Sequence, residues 1–590
     1  MKGKGKRSEP ILKRLIPYIW EEKWLFIGGF SMMLVTSFLR LFDPLIIAHI
    51  LDVIVPNHNL DQLYLYAVLF IGLVLTVGVL SYSQVIVLSK MGIKIVTKLK
   101  YETFKHLLQL PVSYFDKNPV GELIARVESD CENVRQLFSN ISVNIFGNII
   151  FFFGILVVMF IRSWNVSLII LAPIIMIAVS VLFTTRYLRK FYRRERELNE
   201  EITGIVTEYV QGISIVQLFG QENKIMDQLV SKGREKRNID AKANFIEYGL
   251  WGVYDFVMLT LVQILLIYLI VPKILLGAIT IGTLVIFIQY THRIFYPLIS
   301  ISENINQIQR GFVSLNRIFA LLLLAKEPLG DPEEKEVSIN DKIEFRDVWF
   351  KYKEDEWVLK GVNFSVKKGE KVALVGASGS GKTTTVSLLC DFYRPQKGGI
   401  YVDGVELTKL NIKEWRKQIG LVLQDIYLFP GDILENVRVY NDEVGEFEVN
   451  KALEQVTADS LVNKMADGVY SEIKERGQNI SVGEKQLISF ARAIVASPEL
   501  VILDEATASI DIRTEAKIQA AMEKLLEGKT AIIVAHRLSS IINSDKILLF
   551  DNGEIIAEGV HKELLSSSPE YNRLVKLQFL HDQNVDGGVE

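Results

Sequence analysis

The sequence predicts two parts in series: an α-helical membrane domain of six spans, then an α/β domain whose doubly wound sheet surrounds a phosphate-binding loop. Three observations predict this. Long apolar runs fill the chain up to about residue 325 and then stop. Beyond that point the composition becomes that of a water-facing α/β domain. Within it, Gly376-Ala377-Ser378-Gly379-Ser380-Gly381-Lys382-Thr383-Thr384 fits G-x-x-x-x-G-K-[ST] directly after the apolar run Val372 to Val375. The bulk figures are averages over these unlike halves: 590 residues, 49% hydrophobic and 23% charged, with mean hydropathy +0.25.

A span needs about 20 apolar helical residues, and six segments qualify, near 24–54, 64–89, 138–162, 166–187, 247–272 and 277–302. The first is longer than a bilayer requires and can tilt. Residues 9–21 carry Ile11, Leu12, Leu15, Ile16, Tyr18 and Trp20 at helical spacing, which predicts an amphipathic helix on the membrane surface. The basic Met1 to Arg7 is followed by no short apolar segment with a small-residue cleavage site, so we expect no cleaved leader. Domain limits are expected at 1–22 for the surface helix, 23–310 for the membrane domain, 311–340 for a linker, 341–576 for the nucleotide-binding domain and 577–590 for a tail.

The connections near 90–137 and 188–246 are long and rich in Lys and Arg, whereas those near 55–63, 163–165 and 273–276 are short. The positive-inside rule sets the long ones and the N-terminus in the cytoplasm of a multi-pass protein of the cytoplasmic membrane. The sixth span then delivers the second domain to the same side, where ATP is. The long loops read as helical extensions of the spans. Their tips, near 111–121 and 209–219, mix apolar with small polar residues and want a partner surface, for which the ATPase domain is the natural choice. Ionisable residues inside spans are costly. Arg40 and Asp43 can pair with each other or line a wet cavity, Asp255 falls in the fifth span, and His292 and Arg293 fall among aromatics of the sixth.

In the second domain the chemistry follows from residue types. Glycines in the phosphate loop turn backbone N–H groups inward, and the following helix aims its positive end at the phosphates. Lys382 reaches the β/γ-phosphates of ATP and Thr383 holds Mg²⁺. Leu500-Val501-Ile502-Leu503-Asp504-Glu505 is an apolar strand ending in two carboxylates. Asp504 suits a water-mediated contact to Mg²⁺, and Glu505 suits the polarisation of an attacking water. Ala531 to Val534 leads through Ala535 to His536, a donor for the γ-phosphate. Gln424 follows Ile419 to Leu423 and can sense Mg²⁺ or the attacking water. Tyr352 can stack on adenine. Each alone is an ordinary strand-end residue; in this order on one sheet they form a site. A net charge of −3 suggests no nucleic-acid partner, and Cys131 and Cys390, the only cysteines, read as packing residues.

With these residues in place the whole chain resembles an ATP-binding cassette (ABC) exporter half-transporter, a type I exporter membrane domain fused to an α/β P-loop NTPase domain. The resemblance implies roles for Tyr352 as adenine-stacking residue, Gly376–Thr384 as Walker A, Gln424 as Q-loop, Asp504 and Glu505 as Walker B with its catalytic carboxylate, Ser509-Ile510-Asp511 as D-loop and His536 as switch histidine. It also implies that Ser471 to Gly477 touches the coupling helices at the two loop tips. One motif departs. Where the signature is usually L-S-G-G-Q, this chain has Ile480-Ser481-Val482-Gly483-Glu484. Val482 adds a side chain where backbone must approach phosphate, and Glu484 adds negative charge. In the family this signature covers the partner's ATP. The mismatch beside an otherwise regular set of motifs therefore implies one half of a heterodimer, with a homodimer as the alternative. The implied activity is ATP-driven export of amphipathic drugs or lipids, with an ATP-gated channel as rival. Membrane lipid, a hydrophobic small molecule and a second half-transporter are the implied partners.

Overall fold

Long helices carry the first part of the chain. The computed structural model describes residues 11–138, 142–329, 337–354, 356–504, 512–535 and 541–576. Contacts divide the chain into two units. The first comprises Met1–Gln109 with Asn118–Ala325, and the second comprises Lys326–Glu590 together with the short segment Leu110–Lys117.

In the first unit the surface helix α1 (Ile11–Glu21) leads straight into α2 (Lys23–Leu39) and α3 (Phe42–His49), which a π-helical turn extends to Ile54. The chain breaks at Arg40–Leu41, between two residues expected on one unbroken helix. The second and fourth spans are the 48-residue helices α4 (Leu60–Leu107) and, after α5 (Val112–Phe115), α6 (Val120–Val127), α7 (Ser129–Gln136) and α8 (Ser142–Arg162), the helix α9 (Trp164–Gln211). At 1.5 Å per residue each 48-residue helix is about 72 Å long, far beyond a bilayer core of about 30 Å. The surplus forms the helical loops expected from sequence. Then follow α10 (Ile213–Leu218), α11 (Glu222–Asp255), a π-helical turn Phe256–Leu261, α12 (Val262–Leu275), α13 (Ile281–Arg293) and α14 (Phe295–Leu322).

Among the described residues four helices are individually long and apolar enough to cross a membrane: Lys23–Ile54, Leu60–Leu107, Ile145–Arg162 and Trp164–Gln211. The fifth and sixth expected spans fall on helices broken at Phe256–Leu261 and at Ile294. The segment 311–340, expected as a linker, is helical through Leu322, because α14 continues with buried Leu315, Ile318 and Phe319 packed against α4 and α7. The amphipathic stripe of α14 thus extends the sixth helix well past residue 310.

In the second unit a four-stranded antiparallel sheet joins β1 (Lys342–Phe350), β2 (Leu359–Lys367), β4 (Lys397–Val402) and β5 (Val405–Glu406) in the order β2-β1-β4-β5. A six-stranded sheet has the order β12-β11-β3-β10-β9-β6. Its strands are β3 (Lys371–Gly376), β6 (Ile419–Val422), β9 (Leu500–Asp504), β10 (Thr530–Val534), β11 (Lys546–Asp551) and β12 (Glu554–Gly559). All neighbours are parallel except β11 and β12. The central strands read as apolar runs because both faces are covered. Alternate residues serve two cores: Ala373, Val375, Val501 and Leu503 face one, and Val372, Leu374, Leu500 and Ile502 the other. Both cysteines are buried and free. Burial pushes the Cys390 thiol up to about 12, so it is inert at neutral pH.

Candidate nucleotide site and membrane cleft

Parallel order brings the carboxyl ends of β3, β9, β10 and β6 to one edge of the sheet, the usual place for a ligand in such a fold. At that edge β3 runs into the glycine-rich loop. Gly376 has φ +150°, and a Cβ there would lie 2.2 Å from the carbonyl oxygen of Phe550. Gly381 has φ +111° and caps helix α15 (Lys382–Leu389) in a left-handed conformation. Neither position accepts a side chain, so the loop stays bare backbone with N–H groups free to face an anion.

The buried Lys382 Nζ donates to the carbonyl oxygens of Gly376 at 2.8 Å and Ala377 at 2.9 Å. The ammonium is therefore curled over its own loop. Burial holds its pKa below the ordinary lysine value, opposed in part by Asp504. Ser380 Oγ is buried with no hydrogen-bond partner among the described residues. A buried orphan hydroxyl inside a loop of inward backbone fits a phosphate oxygen. Thr383 Oγ1 donates to Asp504 Oδ2 at 3.4 Å. These are two hard oxygen donors of the kind Mg²⁺ takes, so the residues present fit both ATP and the ion.

The remaining expected residues sort into four groups. Tyr352 is 41% exposed; its hydroxyl hydrogen-bonds Thr384 Oγ1 at 3.2 Å, and its ring meets those of Phe350 and Tyr393 edge-on. Gln424 is exposed on the loop after edge strand β6. Ser378 and Gly379 complete the loop, Gly379 with open space around it. Glu505, His536 and the segment Ser509 to Asp511 lie outside the described residues. The strands that lead to the first two, β9 and β10, end on the loop's own edge.

The altered signature begins the helix Val482–Val495. Ser481 is its N-cap and accepts from Glu484 N at 3.3 Å. Glu484 Oε2 in turn accepts from Ser481 N at 2.9 Å and from Ser481 Oγ at 2.8 Å. This is a capping box. The S-x-x-E spacing of Ser481 and Glu484 is the sequence signal for it. Val482 is 58% exposed at the helix start. Gly483 is buried, and a Cβ there would meet Thr514 Cγ2 at 2.2 Å. The neighbouring Ser471 to Gly477 segment contains β8 (Glu472–Ile473), paired with β7 (Gly431–Asp432) and fixed by Asn479, which accepts from Lys474 N and donates to Glu472 O.

The first loop tip groups with the ATPase domain, as the sequence leads one to expect, through a residue pair that carries no motif. The tip of the first long loop, with α5, belongs to the second unit, and the Tyr393 hydroxyl donates to Asp116 there. The second tip, around α10, leaves Ile215, Leu218 and Phe219 exposed. In the first unit Arg40 and Asp43, which could either pair or line a cavity, form no ion pair with each other and both line one cleft. Asp43 pairs with Arg293 at 3.0 Å, while Arg40 donates to Ser81 Oγ at 3.2 Å. Arg40, Asp43 and Arg293 line this cleft of about 410 Å³ with Asn148, Phe151 and His292.

Two protein families match the chain. Residues 25–298 match the ABC transporter transmembrane region and residues 359–508 match the ABC transporter family. The chain is 34% identical to a Bacillus subtilis protein named "Probable multidrug resistance ABC transporter ATP-binding/permease protein YheH", over 86% of this chain and 76% of that one. It is 31% identical to the multidrug resistance-like ATP-binding protein MdlB of Buchnera aphidicola subsp. Acyrthosiphon pisum, over 96% of this chain and 98% of the relative. It is also 31% identical to the ATP-dependent lipid A-core flippase of Pseudoalteromonas translucida, over 96% and 98%.

Proposed function

The chain belongs to the ABC transporter family as a multi-pass exporter half-transporter that couples ATP hydrolysis to transport, and from that premise we propose that it exports amphipathic compounds, drugs or lipids, across the cytoplasmic membrane. The observation that carries the motor assignment is the cluster of Lys382, Thr383 and Asp504 around a bare-backbone loop at the carboxyl edge of the sheet. The relatives named for multidrug resistance and for a lipid flippase support the substrate class.

In this reading Lys382, Ser380 and the backbone from Gly376 to Thr384 bind the phosphates, and Tyr352 stacks on adenine. Thr383 and Asp504, with Gln424, would hold Mg²⁺, which when bound neutralises phosphate charge. Glu505 polarises the attacking water and His536 hydrogen-bonds the γ-phosphate. The N-terminus and the ATPase domain are cytoplasmic, in keeping with the basic long loops.

The partner is a second half-transporter, and we favour a different chain. The Glu484 carboxylate occupies Ser481 N–H and O–H, the donors that begin the signature helix, and Val482 stands exposed before them. A phosphate approaching this helix meets an anion and a side chain beside the N–H groups of its first turn. The partner's nucleotide is then held unproductively, while the site built on this chain's Lys382 and Glu505 meets the partner's signature. The homodimer has one observation in its favour: Ser481 and Gly483 keep the family residues and the helix is properly capped. Purification from native membranes, followed by substrate-stimulated ATPase in lipid, separates the two. Recovery of this chain alone as an active dimer refutes the heterodimer. Transport that persists in full in Glu505→Gln refutes the pump.

A further inference from the structure

Four arginines of α9, Arg186, Arg189, Arg193 and Arg196, recur at intervals of three, four and three residues, so they share one face of the helix. Arg310 and Arg317 on α14 are seven apart and also share a face. The two helices pack together. Between them and α7 lies a cleft of about 910 Å³ lined by all six arginines and Lys190.

Two carboxylates line the same cleft, Asp130 and Glu195, and both are engaged. Asp130 is buried, accepts from Ser314 Oγ at 2.7 Å and lies 3.8 Å from Arg317. Glu195 lies 4.0 Å from Lys236. Arg193 has Glu197 at 3.8 Å, and Arg196 donates to the Tyr192 carbonyl at 3.2 Å. Among the described residues Arg186, Arg189 and Arg310 form no ion pair. A solvated basic face would satisfy the positive-inside rule on a convex surface. Here the charges converge from two helices into a concavity, where like charges repel unless an anion joins them.

We propose that this cleft binds a phosphate-bearing ligand, with the headgroup of an anionic amphiphile as the source that suits its place. Arg186 stands at the end of the fourth expected span, and Arg196 is ten residues, about 15 Å, further along the helix. A headgroup at the membrane edge would be met by Arg186 and Arg189 and drawn inward along the row. The placement at the membrane edge rests on the topology proposed above; the cleft and its charge do not.

The test uses the purified full-length protein, with its partner if it has one, in detergent micelles without nucleotide. Tail-labelled phosphatidic acid and tail-labelled phosphatidylcholine are titrated by fluorescence anisotropy. The expected result is an affinity for phosphatidic acid at least about tenfold higher, lost in Arg189→Gln/Arg310→Gln and largely kept in Arg189→Lys/Arg310→Lys. Both arginines are exposed on helix faces, so the substitutions remove charge without removing packing. Displacement of the label by glycerol 3-phosphate identifies a site for the phosphate itself, open to soluble esters; no displacement identifies the lipid as the source. Equal affinity for the two lipids, or a preference that survives the double glutamine variant, overturns the proposal. ATP hydrolysis by the same wild-type sample is read in parallel. Hydrolysis without lipid preference sinks this site alone, and preference without hydrolysis sinks the export reading alone.

Discussion

The Tyr393–Asp116 hydrogen bond gives a direct test of whether the loop tip at α5 takes part in ATP use. Tyr393→Phe removes one hydroxyl and keeps the ring that meets Tyr352 at 5.0 Å and Phe350 at 5.5 Å. The hydroxyl donates to Asp116, the residue that ends α5. Burial and that bond both push the phenol above its ordinary range, so it stays a donor throughout the neutral range. A hydrogen bond to a charged acceptor is worth roughly 1.5–3 kcal/mol when buried. Asp116 is exposed and water can replace the lost donor, which lowers the figure to about 1 kcal/mol, near fivefold in the docked population. The assay is the ratio of substrate-stimulated to basal ATPase in lipid, with nucleotide affinity measured alongside. We expect the ratio to fall by up to about fivefold while ATP affinity changes by less than about twofold. Asp116→Ala should give a similar loss, and the double variant no more than either single one. An unchanged ratio in Tyr393→Phe, or losses that simply add, refutes the reasoning.

Further outcomes follow from the same geometry. Because burial lowers the Lys382 pKa, raising the pH removes its proton earlier than for an ordinary lysine, and the phosphates lose their cation. ATP affinity should therefore decline on the alkaline side below the usual lysine range, and a flat fluorescent-nucleotide titration there refutes this. For the nucleotide-free protein the unfolded chain holds the Lys382 proton more tightly, so this group's contribution makes stability rise with pH through the same window. In a Glu505→Gln background, Val482→Gly with Glu484→Gln should raise ATPase by restoring the signature over the partner's nucleotide; no gain there refutes the assignment of a weakened signature. Asp43→Ala should lower the thermal midpoint by leaving Arg293 without its 3.0 Å partner, and Asp43→Ala/Arg293→Ala should lower it less; equal losses would show that the pair contributes nothing.

The parts legible in sequence share a physical cause. Spans announce themselves by length because lipid demands about 20 apolar residues in a row. The strands β3, β9 and β10 announce themselves because both faces are buried, which forces the continuous runs at Val372, Leu500 and Ala531. The phosphate loop is local in sequence, and so were its glycine positions. What stayed hidden depends on distance along the chain. Asp43 sits three residues from Arg40, so local spacing suggests that partner, yet Arg293 on α13, 250 residues away, supplies the charge. Tyr393 and Asp116 are 277 residues apart and neither carries a motif. The acidic, proline-containing stretch from Lys326 to Asn340 suggests a linker and draws its expected start back to 311, although Leu315, Ile318 and Phe319 recur at helical spacing.

The signature helix shows why a residue read correctly as a charge was still read incompletely. Electrostatics alone makes Glu484 a negative group at a positive helix end, which the helix dipole favours by roughly 0.3–1 kcal/mol while cancelling part of the field that a phosphate would meet. Geometry adds a second effect. The carboxylate accepts from both donors of Ser481, so the N–H and O–H at the helix start are already satisfied before any phosphate arrives. Glutamine at this position could accept from Ser481 N as well, but it brings no charge and yields its hydrogen bond at lower cost. The two effects make different demands on an experiment. Raising the salt concentration screens the charge and leaves the occupied donors as they are. Partial recovery of the partner's nucleotide site in high salt would assign the defect to charge. Recovery only in Glu484→Gln would assign it to the capping box.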